Sequence, residues 1–176
     1  MLRIGVTGHR KLAEGAGIEA GIEVALAAIE ARFPGASWQV LSALAEGADR
    51  IVARHALARP GVQLVAVLPL PRLDYLTDFE SPQAKKEFLG LLHEAESVIE
   101  LPPRDRRDEA YEQAGHYVVE HVDVLVAVWD GLPTTSRGGT AAIVEYARGL
   151  GKPICHIWAG TGARHKHAPV EFINFR

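Results

Sequence analysis

The 176-residue chain predicts a single three-layer α/β domain, built on a mostly parallel sheet of five to six strands with helices on both faces. Three observations carry that expectation. Apolar, β-branched runs alternate from end to end with segments of helical spacing, the pattern of successive β-α-β units joined by right-handed crossovers. No internal repeat, low-complexity tract or Gly/Ser linker divides the series, and a chain of this length with 48% hydrophobic residues suffices for one core. The run DVLVAVW, residues 123–129, is apolar after its first residue, which suits a central parallel strand covered on both faces.

The elements follow in order. LRIGVTG, residues 2–8, is a strand closed by a glycine turn. Ile18, Ile22, Leu26, Ile29 and Phe33 then recur at helical spacing until Pro34-Gly35 stops the pattern. WQVLSAL (38–44) reads as the second strand, and a helix from Gly47 to Leu57 follows with Ala48, Ile51, Val52 and His55 on one face. VQLVAVLPL is the third strand, ended by Pro69 and Pro71. Ser81 and Pro82 are the N-cap and first residue of a helix whose buried stripe is Phe88, Leu91, Leu92 and Ala95. SVIEL gives a short strand before Pro102-Pro103, and a helix from about Asp108 to His121 turns Tyr111, Ala114 and Val118 inward. After the 123–129 strand, a helix from about Gly139 to Leu150 leads through Gly151 and Pro153 into a last strand, PICHIW. The domain is expected over residues 1–160, with 161–176 a C-terminal tail.

The bulk numbers exclude several function classes. A net charge of −3 and a pI near 6.2 give no general attraction for a polyanion, so nucleic acid is disfavoured as a partner. Cys155 is the sole cysteine, in an apolar run, so it reads as a buried strand residue in a reducing compartment. The N-terminus lacks a signal-peptide pattern, and no run approaches the ~18 apolar residues of a membrane span. The expected location is cytoplasmic, with no membrane association. No GxxxxGK[ST] loop, G-x-S-x-G elbow or HEXXH motif is present. GAGIEA (15–20) has dinucleotide-type glycine spacing, but it begins about seven residues after the first strand, too late for the turn that the mechanism requires. His165 and His167 have no third ligand at zinc-like spacing, so no metal is expected. No cofactor is called for.

Open parallel sheets bind ligands beyond the carboxyl ends of their strands, where strand order reverses. The first strand and the 123–129 strand are the expected central pair, which directs attention to four turns. Gly8, His9 and Arg10 offer close backbone approach and two anion donors. Ser42 lies at the end of the second strand, and Glu46, Gly47 and Asp49 follow it. Glu46 stands where nucleotide folds place an acid against ribose hydroxyls, whereas helix-dipole stabilisation accounts for Asp49. Asp130-Gly131 follows the central strand as a sugar or base contact, or as a plain turn.

The fourth turn, SRGGT (136–140), opens a helix whose first turn has no acidic side chain. Arg137, Gly138, Gly139 and Thr140 there combine free amides, a guanidinium and absent side chains, a combination suited to phosphate. Two loops stand nearby. Tyr75 and Phe79 either stack on a base or pack on the domain, and Arg104, Arg106 and Arg107 read as solvated loop surface, with closure over phosphates the alternative.

Taken in order, VTGHR, LSALAEGADRIVA, VLPLP…Y…DF, DVLVAVWDG and RGGTAAIVEYARGLGKPI resemble the SLOG superfamily of Rossmann-like domains. This superfamily includes the DNA-processing protein A fold and the "lonely guy" phosphoribohydrolases. The resemblance implies a Rossmann-like domain that binds a nucleotide or nucleotide-derived ligand as a sensor or binding module, with phosphate at Gly138, Gly139 and Thr140 and sugar near Gly8 and Glu46. It also implies homo-oligomers as an open option. The hydrolytic branch has P-G-G-x-G-T with a glutamate within three residues, whereas here Glu145 comes five residues after Thr140. The alternative reading, an N-glycosidic-bond enzyme of the phosphoribohydrolase or nucleoside deoxyribosyltransferase type, takes Glu145 or Glu46 as its catalytic carboxylate.

Overall fold

A computed structural model describes residues 1–12, 17–133, 136–160 and 169–175. Gly15 and Ala16 of the GAGIEA stretch, together with His165 and His167, lie outside the described residues, and its remaining four residues open α1. The element order is β1 (Leu2–Gly8), α1 (Gly17–Arg32), β2 (Trp38–Ser42), α2 (Ala48–Leu57), β3 (Gln63–Leu68), α3 (Arg72–Tyr75) with a 3-10 turn (Leu76–Asp78), α4 (Pro82–Glu94), β4 (Ser97–Glu100), α5 (Arg107–Glu120), β5 (Val124–Trp129), α6 (Thr140–Gly149), β6 (Ile154–Trp158) and β7 (Val170–Ile173). This is a Rossmann-like α/β domain with helices on both faces of the sheet.

The sheet runs β4-β3-β2-β1-β5-β6-β7, parallel except for the antiparallel β6–β7 pair. From β1 the chain builds outward through β2, β3 and β4, then returns to β5 on the opposite side. Strand order therefore reverses between β1 and β5, which pair from Ile4↔Val124 to Gly8↔Val128. The expected central pair is the observed one, and every residue of β5 is buried.

Alternation along the strands sends side chains to two cores. Ile4, Val6, Val40, Leu64, Val124 and Val126 pack against α1, α2 and α4. Leu125, Ala127 and Trp129 face α6, and Leu41, Val65 and Val67 face α5. Ser81 caps α4 as the sequence predicts, its Oγ accepting from the Ala84 N–H at 3.0 Å.

Several expectations need correction. The sheet has seven strands rather than five to six, because Val170–Ile173, in the stretch read as tail, pairs with β6 from Ile157↔Val170 to Ile154↔Ile173. β2 stops at Ser42, since Leu44 turns the buried backbone to a φ of 56°. On α2, Arg50 is buried and His55 is only half-buried, held by Glu23 at 2.5 Å. Residues 72–78, read as loop, form α3 and its 3-10 turn. Tyr75 and Phe79 resolve to packing: both are about 1% exposed and stack edgewise 5.1 Å apart, with Phe88 completing the cluster.

Candidate functional site: a cleft at the β1–β5 switch

The carboxyl ends of β1 and β5 open into a cleft of about 450 Å³ closed on its third side by the start of α6. Gly8, His9 and Arg10 form one wall, Asp130 and Leu132 another, and Gly138 to Ala141 the floor. A smaller inner chamber of about 90 Å³ continues beneath α5, sharing Gly8, Arg10, Gly138 and Thr140 and adding Asp49, Tyr75 and Tyr111. Tyr111 faces inward on α5, as its spacing with Ala114 and Val118 predicts, and all three line this chamber.

Backbone bonds fix the walls. The His9 N–H donates to Val128 O at 3.0 Å, and the Ala48 N–H donates to His9 O at 3.1 Å, so β1, β5 and α2 meet at one point. Here the glycines serve the protein's own packing more than a ligand's approach. A Cβ at Gly8 would lie 2.4 Å from that of Ala48, one at Gly47 2.3 Å from Arg10 O, and one at Gly138 2.6 Å from Glu112 N. Gly138 also holds a φ of 66°, which turns the chain off α5 and into α6.

The start of α6 carries the clearest chemistry. Gly139 is its N-cap, in extended conformation, so the N-cap residue itself supplies no side-chain oxygen to the first turn. The Gly139 N–H is bonded to Ser136 O at 3.3 Å, which leaves the amide array to begin at Thr140 rather than Gly138. Partial positive charge of about half a unit gathers there. Arg10, exposed at the mouth, sets its guanidinium 5.0 Å from the Tyr111 ring centre. Tyr111 is in turn hydrogen-bonded to Asp78.

His9 and Asp130 bridge the two strand ends, His9 Nε2 lying 3.1 Å from Asp130 Oδ1. The same oxygen accepts from the Leu132 N–H at 3.0 Å. Burial raises the Asp130 pKa, but the Leu132 amide and His9 outweigh it and hold the carboxyl below its ordinary value. Asp130 is therefore an ionised turn anchor on the cleft wall.

Asp49 is the polar group that sequence reasoning assigned to the helix dipole alone. It is 5% exposed and lines the inner chamber. Ser42 Oγ donates to its Oδ2 at 3.3 Å, with the Ala45 N–H at 3.4 Å. Burial dominates over these bonds and over Arg10, pushing the carboxyl up to about 6. Ser42 is thus a support for Asp49 and for the Leu44 N–H, which it accepts at 3.1 Å.

Five predicted residues line neither chamber: Ser42 and Gly47 serve the frame just described, and three others stand apart from it. Arg137 turns away to α5, where Glu109 accepts from its Nη1 at 3.0 Å. Glu46 is half-buried and lines neither chamber. Glu145 projects from α6 into solvent, paired with Arg148 at 2.7 Å. The three loop arginines are also engaged by the protein: Arg104 with Gln113, Arg106 with Asp108, and Arg107 with Asp74 and Asp78. Among the described residues, no three His, Cys, Asp or Glu side chains cluster as a metal ion would require, and no helix is long and apolar enough to cross a membrane.

No protein-family model matches the chain, and no curated protein matches it. What the fold and the cleft define together is a class, a Rossmann-like domain with an open cleft at its topological switch point.

Proposed function

We propose that the chain binds a nucleotide or nucleotide-derived ligand in this cleft, as a sensor or ligand-binding module. One observation carries the reading: the cleft at the strand-order switch is floored by a helix start whose N-cap residue supplies no side-chain oxygen, and Arg10 stands beside it. An oxyanion is the group that both features favour, since backbone amides and a guanidinium donate and neither accepts. The ordered motifs that resemble the SLOG superfamily point the same way. Phosphate then sits against Thr140 and Ala141, within reach of Arg10 rather than Arg137, and the remainder of the ligand extends along His9 and Asp130.

The reading is of binding rather than N-glycosidic cleavage, because Glu145 and Glu46 line neither chamber. Isothermal titration against nucleoside monophosphates, dinucleotides and nucleotide sugars tests it. At least one is expected to bind more tightly than millimolar, and Arg10→Ala is expected to weaken that binding about tenfold or more. If none binds better than millimolar, the reading is wrong.

A further inference from the structure

His156 lies in β6, 1% exposed, packed against the rings of Trp129 and Trp158 with centres 5.2 Å and 4.4 Å away. Its Nε2 stands 3.0 Å from Trp129 O. A carbonyl only accepts, so Nε2 carries the proton of the neutral ring and Nδ1 is left as a bare acceptor. That Nδ1 is buried and has no hydrogen-bond partner. Across the antiparallel ladder, His156 stands in register with Glu171 of β7, whose Oε2 lies 3.8 Å from Nδ1. Two acceptors thus face each other, and only a proton can join them.

We propose that His156 and Glu171 form a proton-operated latch, which holds the edge strand β7 on β6 at neutral pH and releases it in acid. The direction follows from the groups around the ring. Burial is the largest effect and disfavours the imidazolium, and the Arg148 guanidinium of α6 adds to it. The Trp129 carbonyl, Glu171 on β7 and Asp130 at the end of β5 act the other way. At 3.8 Å, however, Glu171 is beyond hydrogen-bond distance, and its side chain is 56% exposed, so water screens its attraction. The ring is thereby held below its ordinary 6.5. A proton binds more tightly once β7 lifts and Nδ1 meets water. Opening is therefore favoured as pH falls through 6.5, by up to about tenfold per pH unit for one proton, until the folded ring itself titrates. β7 suits such release, since it has four residues and β6 is its only neighbour in the sheet. The latch is independent of what the cleft binds.

The test follows amide hydrogen exchange by NMR in the full chain at pH 7.5 and pH 5.5, with rates corrected for intrinsic exchange. The Trp158 N–H, which donates to Pro169 O at 3.0 Å, and the β7 amides report the latch. The amides of β1 and β5 are the reference for the whole fold. In the wild-type chain the latch amides are expected to lose at least about threefold in protection at pH 5.5, while the reference amides do not. In His156→Gln, which keeps a donor for Trp129 O and cannot take up a proton, that loss is expected to vanish. A smaller loss in the wild-type chain, a gain, or a loss that persists in His156→Gln overturns the proposal. Glu171→Gln, a change at an exposed side chain, gives a second reading should His156→Gln fail to fold. The His156 ring titration, followed by its ¹H shifts, is expected to lie below 6.5 in the wild-type chain and lower still in Glu171→Gln. A wild-type midpoint at or above 6.5, or one that Glu171→Gln leaves in place, also overturns it.

Discussion

Asp49→Asn is expected to stabilise the protein at neutral pH. Burial disfavours the charge of the folded carboxyl and pushes it up to about 6, against an ordinary 3.8. A raised folded pKa means that the native state holds a proton which the unfolded chain releases between those two values. Stability therefore falls as pH rises from about 4 to 6, and stays lowered above that. The difference of about 2 pH units corresponds to roughly 3 kcal/mol at pH 7. Asparagine keeps the shape and the acceptor for Ser42 and Ala45 without the charge, so most of that penalty is relieved. Urea denaturation of both proteins at pH 4 and pH 7.5 measures it. The variants should be nearly equal at pH 4, and Asp49→Asn more stable by about 2–3 kcal/mol at pH 7.5. A variant that is less stable at pH 7.5, or a difference that does not change with pH, refutes the claim that Asp49 is a desolvated charge.

Further predictions concern the frame of the cleft. Gly47 has a φ of 81° and no room for a Cβ beside Arg10 O, so Gly47→Ala should lower unfolding free energy by at least about 2 kcal/mol in urea titration. Arg50 donates to Leu44 O at 2.9 Å and Ala84 O at 2.8 Å and stacks 4.3 Å from the Phe79 ring centre. Arg50→Ala should therefore cost about 3 kcal/mol by the same measurement, and Arg50→Met, which keeps the stem, roughly half as much. Burial pushes the Cys155 thiol up to about 12. At pH 8 it should react with Ellman's reagent only as fast as the chain unfolds, and prompt reaction of native protein would contradict its burial.

The architecture was legible in the sequence where patterning was unambiguous. The uniform apolar run of β5 identified the centre of the sheet, and with it the switch point. β7 was not legible because a four-residue edge strand with Glu171 and Phe172 exposed has little pattern to read. The candidate site was legible as a set of turns and less so as side chains. Arg137 adjoins the α6 start in sequence, but the left-handed turn at Gly138 separates their directions and Glu109 captures the guanidinium. Arg10, 130 residues before Thr140 in the chain, reaches the cleft because β1 and β5 are hydrogen-bonded neighbours. Asp49 was ambiguous for a related reason. An acid in the first turn of a helix has a sufficient local explanation, and only the closure of the chamber by Tyr75 and Tyr111, from two distant segments, makes its burial visible.

The central claim is that the start of α6 and the end of β1 together receive a ligand's phosphate. An amide ¹H–¹⁵N titration with the tightest-binding nucleoside monophosphate tests it most directly. The largest shifts should fall on Thr140, Ala141 and Gly8 to Arg10, with those at Thr140 and Ala141 reproduced by inorganic phosphate alone. Saturable shifts centred elsewhere, with the α6 amides unmoved, would contradict it.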